Sequence, residues 1–109
     1  MTSLKEKNTQ KSDVKAKLEQ DKEDFDLIYK DYPKKRGKAK AFEYYRGYVG
    51  QGRVINGTRY RLDRRQIYLA MMSYVEEKRR DGIDIQFYQN FDTFMNKTVL
   101  DYLPVEENA

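Results

Sequence analysis

The organisation of this 109-residue chain depends on the segment Arg53-Val54-Ile55-Asn56-Gly57-Thr58-Arg59-Tyr60-Arg61. Its Asn-Gly pair is flanked by β-branched residues, a strong short-range signal for a β-hairpin because a type I′ turn needs positive φ at both central positions. Three glycines end the helical pattern on its N-terminal side: Gly47, Gly50 and Gly52. The sequence therefore predicts a short β-hairpin, or a hairpin-like basic loop, between two helices.

Two helices are predicted before this segment. In the first, apolar residues recur at spacings of three, four and seven from Val14 onward, and Ser12 or Asp13 supplies the N-terminal cap. Pro33 ends this helix near Tyr32, because the residue before a proline avoids the helical region. The second helix covers about residues 38–48, and its apolar stripe consists of Ala39, Phe42, Tyr45 and Tyr48 or Val49.

Two more helices are predicted after it. Asp63 and Gln66, three residues apart, are typical of a capping box for a helix over residues 64–80, and Gly82 stands where a C-terminal cap belongs. Residues 83–87 alternate apolar and polar side chains, which predicts an extended piece. Asn90 is the predicted cap of a last helix over about residues 91–102. The apolar stripe of the third helix is predicted to be Ile67, Ala70, Met71, Tyr74 and Val75.

These patterns predict a mainly α fold, a small bundle of about four helices with the hairpin or basic loop between the second and the third. The chain is long enough for one domain with a modest core. We expect a flexible polar tail at residues 1–11, a single helical domain at residues 12–103 and a loose acidic tail at residues 104–109. The aromatic residues assigned to the core are Phe25, Phe42, Tyr45, Tyr74, Phe91 and Phe94.

The composition excludes several classes of protein. Without cysteine, histidine or tryptophan, the chain has no disulfide framework, no Cys/His zinc site and no Ser-His-Asp triad. A cluster of carboxylates, Glu76, Glu77, Asp81 and Asp84, is the one candidate for a magnesium site, but cations interleaved at residues 78–80 favour a self-neutralising helix end. We expect a protein that is not an enzyme and uses no metal and no cofactor.

Nothing in the sequence indicates a membrane protein. No run of apolar residues approaches the ~20 that span a bilayer, and residues 1–13 have no apolar signal-peptide core. We therefore expect a cytoplasmic protein with no membrane partner.

The positive charge is concentrated in the middle of the chain. Residues 30–65 contain twelve Lys and Arg against three Asp and Glu, a balance of +9, whereas the whole chain carries +4. Such a dense run is either the solvated face of ordinary helices or a surface that a polyanion neutralises. The size of the imbalance makes nucleic acid a serious candidate for the partner.

Ten residues are candidates for nucleic-acid binding: Lys34, Lys35, Arg36, Lys38, Lys40, Arg53, Arg59, Arg61, Arg64 and Arg65. Five of them surround the predicted start of the second helix, where the helix dipole and free N–H groups favour a phosphate. The other five lie in the hairpin and at the start of the third helix. Three tyrosines off the helical stripes are candidates for base stacking, the alternative being that their rings cover the edge of the core: Tyr44, Tyr60 and Tyr68.

Two segments also carry the motifs of a known family. The first is Phe25-Asp26-Leu27-Ile28-Tyr29-Lys30-Asp31-Tyr32-Pro33-Lys34-Lys35-Arg36-Gly37-Lys38, followed by Ala41 and an aromatic at Tyr44 or Tyr45. The second is Phe87-Tyr88-Gln89-Asn90-Phe91-Asp92-Thr93-Phe94-Met95-Asn96, with Asp101-Tyr102 after it. They resemble the C-terminal domain of bacteriophage and prophage replication proteins, which include replisome organisers and helicase-loading factors. Tyrosine replaces the tryptophans usual in that pattern, and residues 50–61 are not part of it.

The resemblance implies a small helical domain that acts in DNA replication or another DNA transaction, and it supplies no catalytic residues. We therefore predict a small basic, phage-encoded DNA-binding protein that contacts mainly phosphates, with single-stranded and duplex DNA both open as its ligand. A host or phage replication protein is a further candidate partner, and the tyrosine-rich helices would allow a homodimer. The alternative is an adaptor or inhibitor that binds an acidic host protein of the replication, transcription or defence machinery without binding DNA.

Overall fold

The computed structural model describes the backbone of residues 2–105 and the side chains of residues 13–105. Within that range the elements are helices α1 (Thr2–Tyr29) and α2 (Lys38–Val49), strands β1 (Arg53–Ile55) and β2 (Thr58–Tyr60), and helices α3 (Arg64–Arg80) and α4 (Phe91–Asn96). Two 3₁₀ turns, Ile85–Phe87 and Thr98–Tyr102, flank α4. The predicted mainly helical fold, with four helices and a hairpin between the second and third, is confirmed.

The hairpin has the predicted turn. Asn56 and Gly57 adopt φ angles of 51° and 83°, as a type I′ turn requires, and β1 pairs with β2 in an antiparallel register that places Val54 opposite Arg59. The helix that follows has the predicted capping box, in which the Asp63 side chain accepts from the Gln66 N–H and the Gln66 side chain accepts from the Asp63 N–H. Both features follow from local sequence.

Gly82 ends α3 as predicted. Its φ of 70° allows a Schellman motif, in which the Ile83 N–H donates to the Lys78 carbonyl and the Gly82 N–H donates to the Arg79 carbonyl. The chain leaving α3 is therefore fixed in direction.

Helices α1 and α2 are antiparallel. An ion pair joins Asp26 of α1 to Lys38 at the start of α2, and another joins Asp21 to Arg46 near the end of α2. Helices α2 and α4, in contrast, run side by side in the same direction. The carbonyl of Arg36, just before α2, accepts from the first N–H groups of α4, and Tyr48 near the end of α2 donates to Asn96, the last residue of α4.

The core is largely aromatic. The Tyr32 ring lies 4.9 Å from that of Phe91, and the Tyr74 ring lies 5.1 Å from that of Phe94, measured between centroids. Five of the six aromatic residues predicted for the core are buried, and so is the whole predicted stripe of α3, whereas Phe42 is half-buried at the edge. Ala41, rather than the exposed Ala39, faces the core from α2, and Val14 is 70% exposed.

Helix α1 differs from the prediction at both ends. It begins at Thr2 instead of at a cap on Ser12 or Asp13, since residues 2–13 contain neither glycine nor proline to interrupt a helix. It ends at Tyr29, three residues before Tyr32, where the Asp31 and Tyr32 N–H groups bond three residues back. The flexibility of residues 1–11 stays a prediction, and four residues of the predicted acidic tail, 106–109, lie outside the described residues.

The segment after α3 was also predicted wrongly. Residues 85–87 form a 3₁₀ turn instead of an extended piece, because the Asp84 side chain accepts from the Gln86 N–H and folds the chain back. The predicted last helix is divided at Lys97. In a continuous helix the Asn96 carbonyl would accept from the Leu100 N–H, but it is occupied by side chains of Tyr48 and Arg53. The Leu100 N–H donates to the Lys97 carbonyl instead, and the chain continues as the Thr98–Tyr102 turn. Asn90 occupies the predicted N-cap position but makes no side-chain cap bond.

Replacing Gly37 should destabilise the fold more than replacing another glycine of similar φ. Gly37 has φ 78°, and a Cβ atom there would overlap the Asp92 carboxyl group, whereas a Cβ at Gly82, φ 70°, would meet nothing within 4 Å. We expect Gly82→Ala to lower the free energy of unfolding by about 1–2 kcal/mol through backbone strain. Gly37→Ala should lower it by at least about 1 kcal/mol more through overpacking. Urea denaturation of both variants measures the difference, and equal losses would contradict the proposed overlap.

Alkaline pH should unfold the protein. Burial raises the pKa of Tyr32, Tyr45 and Tyr48 well above the ordinary value, and burial together with the Glu77 carboxylate raises the pKa of Tyr102 to about 12. Above a pH of about 10 the unfolded chain loses tyrosine protons that the folded chain keeps, so stability falls as the pH rises toward 12. We expect the melting temperature to drop over that interval, together with the onset of phenolate absorbance. A melting temperature that stayed constant there would refute this linkage.

Candidate nucleic-acid interface

The ten predicted basic residues fall into two groups at opposite ends of α2. The turn group comprises Lys34, Lys35, Arg36, Lys38 and Lys40, and it surrounds the start of the helix. The hairpin group comprises Arg53, Arg59, Arg61, Arg64 and Arg65, and it lies beyond the end of the helix, where the Leu62 N–H donates to the Tyr48 carbonyl. Twelve helical residues place the two ends about 18 Å apart.

Two cations of the turn group hold the backbone together. The Lys34 ammonium donates to the carbonyls of Gln86 and Tyr88, at 2.8 and 3.0 Å, and so ties the turn before α2 to the segment before α4. The Lys35 ammonium donates to the carbonyls of Lys30 and Tyr32, at 2.8 and 2.6 Å, just past the end of α1. Both side chains therefore have a structural role that their sequence pattern did not reveal.

Two more cations pair with carboxylates of α1. Lys38 lies 3.3 Å from Asp26 and also over the Tyr29 ring, and Arg64 lies 3.2 Å from Asp24. These partners reduce the charge that either cation can offer to a phosphate. The Arg64 pair also places the start of α3 beside α1.

Arg53 anchors the hairpin to α4. One of its guanidinium nitrogens donates to the Asn96 carbonyl and, at 3.0 Å, to the Tyr48 hydroxyl, and the other donates to the Asn96 side-chain oxygen at 2.9 Å. The guanidinium also lies 4.3 Å from the Tyr44 ring centroid. A planar group with this many donors suits such a junction, which an ammonium could not reproduce.

A continuous row of side chains joins the two groups along α2. The Lys40 ammonium lies 5.6 Å from the Tyr44 ring centroid, and Arg53 follows on the same ring. Two glycines let the aliphatic parts of neighbouring arginine side chains lie against the backbone. A Cβ atom at Gly47 would be 2.9 Å from the Arg53 Cγ, and a Cβ atom at Gly52 would be 3.0 Å from the Arg59 Cγ. Gly47, inside the last turn of α2, and Gly52, just after the helix, thus make room for the basic residues.

Six of the ten cations are exposed and have no carboxylate within ion-pair distance among residues 13–105: Lys35, Arg36, Lys40, Arg59, Arg61 and Arg65. Arg59 donates to the Gln51 carbonyl at 3.0 Å, which orients its side chain without neutralising it. Three of the six belong to the hairpin group. Lys97 adds an exposed cation next to the Asn96 anchor, a neighbour that sequence analysis missed because the contact joins residues 43 positions apart.

The three tyrosines proposed for base stacking are all half-buried. Tyr44 already carries cations on its ring, Tyr60 packs against the core, and the Tyr68 hydroxyl donates to Asp31 at 2.9 Å, which raises its pKa. Each ring thus has a structural contact, and base stacking stays a prediction.

The Glu77 carboxylate of α3 is engaged with neighbours. Glu77 accepts from the Tyr102 hydroxyl at 2.7 Å and lies 3.4 Å from Lys78, and the hydrogen bond from Tyr102 lowers its pKa. Within the described residues, no three carboxylates are grouped so that they could hold a metal ion. In the same range, no helix is long and apolar enough to cross a membrane.

Searches of protein-family models, of curated protein sequences and of solved structures find no match to this chain.

Replacement of Arg53 should separate its anchoring role from its charge. Arg53→Lys keeps the charge but loses the paired bonds to Asn96, so we expect the free energy of unfolding to fall by about 1–3 kcal/mol in urea denaturation. Arg59→Lys, on the exposed face of the neighbouring strand, should change it by no more than about 0.5 kcal/mol. Equal effects of the two substitutions would argue against the anchor.

Proposed function

We propose that this protein binds DNA mainly through phosphate contacts made by the exposed cations of the hairpin group and of α2. The observation that carries the proposal is that four exposed cations of these elements, Lys40, Arg59, Arg61 and Arg65, lack carboxylate partners in the described part of the chain. Unpaired cations that are close together repel one another, and a polyanion relieves that repulsion by neutralising them.

The hairpin is the part best suited to contact DNA. Its tip, Asn56-Gly57, is exposed, and Arg59 and Arg61 lie on its second arm and just after it. The Arg53 anchor fixes its base to α4, so the cations are presented on a rigid support with little ordering cost on binding. Phosphate contacts of this kind position a protein on DNA without reading sequence.

The proposed role is non-enzymatic and belongs to DNA replication or another DNA transaction. The resemblance to the C-terminal domain of phage replication proteins supports this assignment, because its motifs include the end of α1, the turn before α2, and α4. The side chains available at the basic surface are arginine, lysine and tyrosine, which neutralise and stack but offer no general base near neutral pH.

Two exposed arginines of the hairpin group supply the test. We expect the double variant Arg61→Gln/Arg65→Gln to bind DNA more weakly, with a slope of log affinity against log salt that is shallower by about 2 on a duplex. The matched control is Arg79→Gln/Arg80→Gln, which removes the same charge from exposed positions at the other end of α3. Fluorescence anisotropy with duplex and single-stranded probes over a range of salt concentrations measures both slopes.

Either of two results would reject the proposal. If both double variants lost affinity equally, DNA would be responding to net charge and not to this surface. If the unmodified protein bound neither probe at low salt, the alternative of an adaptor that docks on an acidic host protein would be preferred.

A further inference from the structure

Three large apolar side chains are exposed within five residues of one another. Ile83 is 39% exposed, Ile85 is 50% exposed and Phe87 is 72% exposed. They follow the end of α3 and project from the segment that includes the Ile85–Phe87 turn. We call this set the apolar ridge. The exposed ring of Phe87 is unusual for a segment between the packed helices α3 and α4, because phenylalanine normally packs inward.

The apolar ridge is held rigidly by its backbone. The Ile83 N–H is bonded in the Schellman motif at 2.9 Å, the Phe87 N–H donates to the Asp84 carbonyl at 2.9 Å, and Lys34 holds the Gln86 carbonyl at 2.8 Å. A fixed backbone cannot fold these side chains away from water. It also removes much of the entropy cost of binding, as in preorganised interaction sites.

The two flanks of the ridge carry different charges. On one side, Ile85 and Gln86 line a shallow groove with Lys34, Lys35 and Arg36, and within the described residues none of these three cations has a carboxylate partner. On the other side, Ile83 and Phe87 line a groove that also contains Glu77, Lys78 and Asp101. An occupant must therefore offer apolar surface to the ridge and negative charge to the first groove alone.

We propose that the apolar ridge docks a protein segment in which a large aliphatic or aromatic side chain is flanked by carboxylates. The apolar side chain would pack on Ile85 and Phe87, and the carboxylates would face Arg36 and the two neighbouring lysines. Aromatic and arginine side chains that lie together on a rigid surface are the usual centres of binding energy in protein interfaces. This inference does not depend on DNA binding by the hairpin group.

Nucleic acid and an anionic membrane fit this ridge less well. Either would extend a sheet of negative charge over both flanks, and it would bring phosphates close to Glu77 and Asp101 beside Phe87. Like charges so placed oppose association. A short peptide can limit its carboxylates to the basic flank.

The test is a selection of displayed random peptides on the full-length protein, with counter-selection on the double variant Ile85→Ser/Phe87→Ser. We expect the enriched peptides to combine at least one large apolar residue with Asp or Glu. Their affinity should fall at least about tenfold on the double variant and on Phe87→Ala, and several-fold on Arg36→Gln. The control Val54→Ser alters an apolar residue of the hairpin that is 58% exposed and should leave peptide affinity unchanged. Melting temperatures confirm that each variant is folded.

The inference would be overturned if the selection yielded no ridge-dependent peptide, or if the enriched peptides were basic or lacked carboxylates. It would also be overturned if Val54→Ser lost as much peptide affinity as Phe87→Ala. Ridge-dependent binding of a single-stranded oligonucleotide or of phosphatidylglycerol vesicles, without peptide binding, would replace the protein partner by nucleic acid or membrane. Loss of DNA binding in the hairpin variants alone would leave this inference intact, because the peptide assay contains no DNA.

Discussion

The structure depends on how helix α4 is held at its two ends. A six-residue helix has too few internal hydrogen bonds to be stable alone. The Tyr32 hydroxyl donates to the Gln89 carbonyl before the helix, and the Tyr48 hydroxyl donates to the Asn96 carbonyl at its end, both at 2.6 Å. Both tyrosine rings are fully buried, so each hydroxyl must find a partner inside the protein. The two bonds fix α4 against the turn before α2 and against the last turn of α2 itself, and the aromatic core forms between them.

The same arrangement determines where the basic residues lie. Because Arg53 shares the Asn96 carbonyl with Tyr48, the hairpin is attached to the end of α4 and not simply to the end of α2. Part of the positive charge is therefore used to assemble the fold. The exposed cations near this junction remain available to a ligand. Their backbone is held in place by the bonds of Tyr48 and Arg53 to Asn96.

Local signals in the sequence predict the local structure well. The Asn56-Gly57 turn, the Asp63 capping box and the Gly82 cap each involve residues a few positions apart, so a short stretch of sequence is enough to predict each of them. The division of the last helix depends on Arg53, 43 residues away, and the role of Lys34 depends on carbonyls 52 and 54 residues away. For this reason composition located the basic region of the chain, but it could not separate the cations that hold the fold from those that are free.

The hairpin and the apolar ridge lie at opposite ends of α3. The helix begins directly after the hairpin and ends directly before the apolar ridge, and its 17 residues separate the two by about 25 Å. At this separation, a short peptide on the ridge would not contact the hairpin. Since α3 is capped at both ends and its apolar stripe is buried, it is a rigid spacer between the surfaces. Under the two proposals, the molecule would hold a protein segment at a fixed distance from DNA.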